Sequence, residues 1–185
     1  MVAVNIVNIV ASTTFAEKLD LNIIAESIDC TDYKPNQFPG LIFRLNNPKT
    51  ATLLFTSGKA NCTGSKSIEE IRRAIDLIAN KLQKIGLHIF DKKDLHITVQ
   101  NIVATANLGG ELNLSEVALS LGLQNIEYEP EQFPGLVYHI QEPKVVILLF
   151  SSGKIVCTGG RNIESVSLAI ENLIKELIAS DLFLK

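Results

Sequence analysis

Asn8, Asn101, Thr63 and Thr158 are the residues whose types and spacing invite a chemical reading. Each carries a neutral hydrogen-bond donor, and each falls in a segment that reads as a strand. Asn8 falls in NIVNIVAST and Asn101 in TVQNIVATA, while Thr63 and Thr158 lie in two copies of Cys-Thr-Gly. Uncharged donors on an apolar surface cannot take up a proton at neutral pH. They can satisfy the acceptor edge of a flat ligand that buries them. Ordinary strand-end asparagines are the plain alternative.

Reactive chemistry elsewhere is sparse. His88, His96 and His139 share no ligand spacing, and neither GxSxG nor HExxH occurs. Ser57-Gly58-Lys59 ends like a phosphate-binding loop, but the first glycine of GxxxxGK would stand at position 53, which is Leu53. Gly58 and Gly153 read instead as hairpin turns. Cys30, Cys62 and Cys157 form no CxxC pair and are odd in number, which argues against a disulfide framework or a zinc site and fits a reducing compartment. Cys62 and Cys157 are expected to face the core and be inert. Ser67 precedes a helix and is more simply a cap than an anion site. No catalytic residue, metal or cofactor is expected.

The elements that must position these residues come twice. Tyr33–Gly64 aligned with Tyr128–Gly159 matches at 18 of 32 positions, an offset of 95. Upstream the offset is 93, so the second copy has two extra residues between Ala118 and Tyr128. The chain of 185 residues divides into repeats at 1–93 and 94–185. Each reads as a β-rich start, a short helix near 18–27 or 112–121, strands and tight turns, then a long helix. In the first copy Ser67 and Glu70 mark that helix as a capping box, and Ile71, Ile75, Ile78, Leu82 and Ile85 keep its period. The expectation is an α+β protein with about ten antiparallel strands and four helices.

Four helices can cover one face of such a sheet. Strands with one wet face should alternate apolar and polar residues, yet Val145–Ser151 is apolar on both sides. Val10, Leu53, Phe55, Val103, Leu148, Phe150 and Val156 would then share the uncovered face. That patch is larger than a soluble monomer shows without purpose. A sheet sandwich, a buried dimer face and a binding surface all fit the pattern. Among ligands, the minor groove of A·T-rich DNA is pseudo-twofold and offers only acceptors, which suits matched donors; guanine's amino group would be penalised there. The rival from another class is a duplicated sheet-and-helix module that binds a protein or a hydrophobic ligand on this face.

The motifs QNIVAT (100–105), FPGL (38–41, 133–136), LLF-[TS]-SGK (53–59, 148–154) and CTG (62–64, 157–159) carry a further inference. Across nearly its whole length the sequence resembles the TATA-box-binding proteins, the core promoter-recognition factors of archaea and eukaryotes. The resemblance implies a saddle: one curved antiparallel sheet on the minor groove of A·T-rich double-stranded DNA, with helices on the convex side. Phe38 with Phe55, and Phe133 with Phe150, would be the wedges that kink and bend the duplex, because apolar insertion unstacks a base step. Asn8, Thr63, Asn101 and Thr158 would donate to bases, and Val10, Leu53, Val103, Leu148 and Val156 would pack on the groove floor. Arg44, Lys49, Lys59, Lys144 and Lys154 would hold phosphates. Glu129, Glu131 and Gln132 match the turn that contacts transcription factor B, through which RNA polymerase is recruited.

Three features depart from that pattern. Asn61 stands where Val156 and the family have an apolar residue, and His139 replaces an arginine expected opposite Arg44. The chain is also acidic, with a formal charge of −3. Residues 1–93 hold 12 basic and 9 acidic side chains against 5 and 11 in 94–185, which reads either as drift or as an acidic partner face in the second copy. The longest apolar run, Val145 to Phe150, is far too short for a membrane helix, and the first residues show no secretory signal. A start at the first strand, without the extension usual in eukaryotes, points to an archaeal factor that works in the cytoplasm at the nucleoid; a eukaryotic one would be nuclear. Self-association of free protein through the apolar face is left open.

Overall fold

A computed structural model describes residues 2–182. It contains ten strands and four α-helices, so the expected α+β class holds. The chain forms two compact units, one of Asn8–Gln100 and one of residues up to Val7 with those from Asn101 onward.

In the first unit the strands are β1 (Asn5–Thr14, whose first residues belong to the other unit), β2 (Thr31–Asp32), β3 (Leu41–Asn46), β4 (Lys49–Leu54) and β5 (Lys59–Ser65). They run antiparallel in the order β2-β3-β4-β5-β1. Helices α1 (Leu21–Ser27) and α2 (Ile68–Lys84) complete it. The second unit repeats the plan with β6 (Thr98–Asn107), α3 (Leu114–Leu121), β7 (Ile126–Glu127), β8 (Leu136–Ile140), β9 (Val145–Leu149), β10 (Lys154–Gly160) and α4 (Ile163–Ala179). Its strand order is β6-β10-β9-β8-β7.

The long helices lie on the sheets as their period dictates. Ile71, Ala74, Ile75, Ile78 and Leu82 of α2 are buried, as are Val166, Ala169, Ile170, Leu173 and Leu177 of α4. Helix α2 packs on β5 and α4 on β9 and β10, and the strands bury their inward residues, such as Ile9, Leu41, Phe43 and Leu54 in one unit and Ile102, Leu136, Ile147 and Leu149 in the other.

The cap of α2 is wider than the sequence predicts. Ser67 Oγ accepts from the Glu70 N–H at 3.2 Å, but Glu70 reaches past Ser67 to the Ser65 hydroxyl at 2.8 Å and the Lys66 N–H at 3.4 Å. The Ser67 N–H is already donated to Ser65 Oγ, which leaves the carboxylate to take the groups beyond it. Asn162 alone caps α4, accepting from the Ser165 N–H at 2.7 Å.

Strands β4 and β9 end earlier than their apolar runs suggest. The Gly58 N–H donates to the Phe55 carbonyl, and the Phe55 N–H to the Lys59 carbonyl, which closes the turn at Phe55. Gly153 does the same with Phe150 and Lys154. Both glycines have positive φ, 77° and 76°, as such turns require.

Candidate nucleic-acid interface

The strand parity leaves one face of each unit without helices. Thr52 and Leu54 of β4 are buried, while Leu53 and Phe55 are half-buried on the other side. On β9 the split is the same, with Ile147 and Leu149 inward and Leu148 and Phe150 on the bare side. Val10, Val103 and Val156 share that side and are also half-buried. Leu53 lies opposite Asn61, and Leu148 opposite Val156, so each unit has an apolar strip running across adjacent strands.

Bulges fix the amides on this surface. The β1–β5 register shifts between Ile9 and Ala11, and Gly64 has φ of 98°. This releases the Gly64 N–H from the ladder, and Asn8 Oδ1 accepts it at 2.8 Å. The β6–β10 ladder shifts in the same way, and Asn101 Oδ1 accepts the Gly159 N–H at 2.7 Å, with Gly159 at φ 94°. An amide N–H can pair only with the carbonyl end of an asparagine, so the bulge determines which way each amide points. The Nδ2 groups then lie 3.1 and 3.2 Å from the Thr63 and Thr158 hydroxyls, each with a further N–H left to donate outward. The Cys-Thr-Gly tripeptide thus has a complete local reason: a core thiol, a face hydroxyl and a bulge glycine.

Each unit carries one pair of aromatic rings. Phe38 and Phe55 meet edge to face with centroids 6.1 Å apart, and Phe133 and Phe150 at 5.9 Å. Phe38 and Phe133 are each 39% exposed, which is too much for core phenylalanines. The glycine of each FPGL makes the pairing feasible. A Cβ on Gly40 would come within 2.6 Å of the Phe38 ring and 3.0 Å of Phe55; on Gly135 it would come within 2.7 Å of Phe133 and 3.0 Å of Phe150.

Lys49, Lys59, Lys144, Lys154 and Arg44 are exposed, and none is in a salt bridge among the described residues. His139, at the position matched to Arg44, is instead 3.0 Å from Glu127. Glu129, Glu131 and Gln132 are exposed in the turn before Phe133, whose N–H donates to the Glu129 carbonyl at 3.0 Å. Strand parity places further residues on the bare face that motif reading passed over: Ser12, Ile42 and Ala51, with Thr105, Val137 and Val146. Their signal was alternation with the buried residues beside them. Cys62 and Cys157 are buried; burial pushes the Cys157 thiol up to about 11 and raises that of Cys62, against the lowering effect of the nearby Thr52 and Thr50 hydroxyls.

A duplicated α+β fold with its uncharged donors and paired rings on a bare sheet face defines a protein that recognises a surface. Comparison with known proteins narrows the class. The family model described as "Transcription factor TFIID (or TATA-binding protein, TBP)" matches twice, over residues 3–85 and 96–179, and the chain belongs to that family. The TATA-box-binding protein of Thermoplasma volcanium is 55% identical over 94% of both chains. That of Archaeoglobus fulgidus is 52% identical, again over 94% of both. Among solved structures, Methanococcus jannaschii TBP is 45% identical, with a TM-score of 0.86 over 95% of this chain and 98% of that one. Among the described residues no helix is long and apolar enough to cross a membrane.

Proposed function

We propose that this chain is an archaeal general transcription factor, not an enzyme, that binds the TATA element of promoters in the minor groove and bends it. The observation that carries the reading is the pair of asparagines whose carbonyls are engaged by the bulge amides and the Thr63 and Thr158 hydroxyls, so that each side chain turns an N–H outward on an apolar face. The floor of an A·T minor groove presents acceptors alone, so these donors and the strips of Val10, Leu53, Val103, Leu148 and Val156 are complementary to it. Thr63 and Thr158, whose hydroxyls lie 3.3 Å from the asparagine Oδ1 atoms in the free protein, turn their hydrogens to base acceptors when DNA binds. The pairs Phe38–Phe55 and Phe133–Phe150 enter base steps, and the basic side chains Arg44, Lys49, Lys59, Lys144 and Lys154 hold phosphates and set register. The two repeats, 1–93 and 94–185, serve as halves of one binding unit in the cytoplasm, at the nucleoid.

Assembly follows from the second repeat. Its acidic turn at Glu129, Glu131 and Gln132 receives transcription factor B, which brings RNA polymerase. An apolar groove of about 510 Å³ beside it, lined by Leu119, Leu123, Ile126 and Tyr128, extends the contact surface.

The experiment is binding to a duplex with a central TATA element and to a G·C-substituted control, with end-to-end energy transfer reporting the bend. Tight binding with bending on the first duplex alone is expected, and Phe150→Ala should lose the bend. Equal binding to both duplexes at every salt concentration would overturn the reading and favour a protein-binding module. Sedimentation of the free protein reads whether two copies cover the apolar face when DNA is absent.

A further inference from the structure

We infer that Asn61 lets the first half of the interface accept a G·C pair that the second half rejects, so that base composition orients the protein on an otherwise symmetric element. This rests on the groove reading above and deepens it. Asn61 and Val156 occupy matched places. Asn61 lies opposite Leu53 on β4 and Ser12 on β1; Val156 lies opposite Leu148 on β9 and Thr105 on β6. Both point to the bare face, Asn61 exposed and Val156 half-buried.

The surroundings of Asn61 are polar. Gln100 Nε2 donates to Ser12 Oγ at 2.8 Å, whereas the residue matched to Gln100 in the other copy is Val7. The amide of Asn61 also differs from those of Asn8 and Asn101. Their carbonyls are held by the bulge glycines, so only N–H groups face outward. Among the described residues no side-chain hydrogen bond engages Asn61, so either end of its amide can turn to the ligand. An N–H then serves an adenine or thymine acceptor, and the carbonyl serves the one donor that the minor groove can show, the guanine N2 amino group. Val156 itself offers that amino group no acceptor, so at the matched place it would lose its water uncompensated by the residue above it, a penalty of about tenfold or more in affinity.

The test uses a self-complementary A·T element and two derivatives. One carries a single G·C pair in one half; the other carries G·C pairs at both symmetry-related positions, at each step along the element in turn. At one such step the wild-type protein should bind the single derivative within about threefold of the parent, by turning Asn61 to that side, and the double derivative about tenfold more weakly. Inosine in place of both guanines removes the amino groups and should restore binding. Asn61→Val should bind the single derivative as weakly as the wild type binds the double. Val156→Asn should bind both derivatives alike, and it tests the idea independently of how Asn61→Val folds. If single and double substitutions cost the wild type the same at every step, or inosine restores nothing, the inference fails while the groove reading stands. Indifference to A·T against G·C across the whole element would remove the groove reading itself.

Discussion

Gly135 and Gly40 do their work through what they lack. Each is the third residue of Phe-Pro-Gly, and the space a Cβ would need is taken by the two rings that meet over it. The ring pair is therefore a property of three residues, not two. Gly135→Ala should leave the fold intact, because Gly135 lies just before β8 and its φ is not in the left-handed region. It should splay Phe133 from Phe150 and so reduce the bend in the energy-transfer assay, with TATA affinity falling by roughly tenfold, the scale of one lost apolar contact. Unchanged bending in a folded Gly135→Ala protein would mean that the ring pair is not a wedge. The asparagines show the same dependence on neighbours, since the bulge at Gly64 or Gly159 aims each amide. Motif reading found Asn8, Asn101, Thr63 and Thr158 because those residue types stand out in apolar strands. It could not find the roles of Gly40, Gly64, Gly135 and Gly159, because a backbone N–H and a missing Cβ leave no mark in composition.

At the scale of elements the two repeats diverge where they are not seen from outside. Thr13, Thr50 and Thr52 are buried, and no oxygen or nitrogen partner meets their hydroxyls; Thr50 and Thr52 have only the Cys62 thiol beside them, a weak partner. The matched residues of the second copy are Ala106, Val145 and Ile147. A buried hydroxyl without a partner costs about 1–3 kcal/mol, so the first unit is built less economically than its twin. Thr50→Val copies Val145 at nearly constant volume and should raise stability by about 1 kcal/mol, read as a higher midpoint in urea. A lower midpoint would mean that the hydroxyl has a partner.

Helix α2 adds an acid-side dependence that α4 lacks. The Ser65 hydroxyl and the Lys66 N–H bonded to Glu70 hold its carboxyl below the ordinary carboxylate value. A lowered native value stabilises the fold above the unfolded value and is lost as pH falls through the native one. Glu70→Gln should therefore lower thermal stability at pH 7 and flatten its decline below about pH 4.5, so that variant and wild type converge in acid. A decline of the same steepness in the variant would refute the cap's role. Ten strands, four helices and the bare face were legible in the sequence, since alternation and the 3.6-residue period reflect burial directly. The two-residue strands β2 and β7, the early ends of β4 and β9 and the wider α2 cap were not, because turn and cap hydrogen bonds determine them.

Charge belongs to the whole molecule. The chain carries −3 overall, with +3 in residues 1–93 and −6 in 94–185. Long-range attraction to a polyanion is accordingly weak, which leaves short-range fit to carry the proposed recognition. His139 follows the same trend, its ring given to Glu127 where Arg44 makes no salt bridge among the described residues. The acidic second half suits a basic protein partner better than it suits DNA. Glu131 is exposed in the turn before Phe133, and it takes no part in the ring pair or the asparagine bulges. Glu131→Arg should therefore bind the TATA duplex at least as well as the wild type, and more so at low salt, where an added positive charge counts most. With transcription factor B present it should fail to form the slower-migrating ternary complex in a gel-shift assay. Loss of DNA binding and ternary assembly in equal measure would show that the turn serves the DNA interface. Retention of both would move the partner contact away from Glu131, towards the groove lined by Leu119 and Leu123.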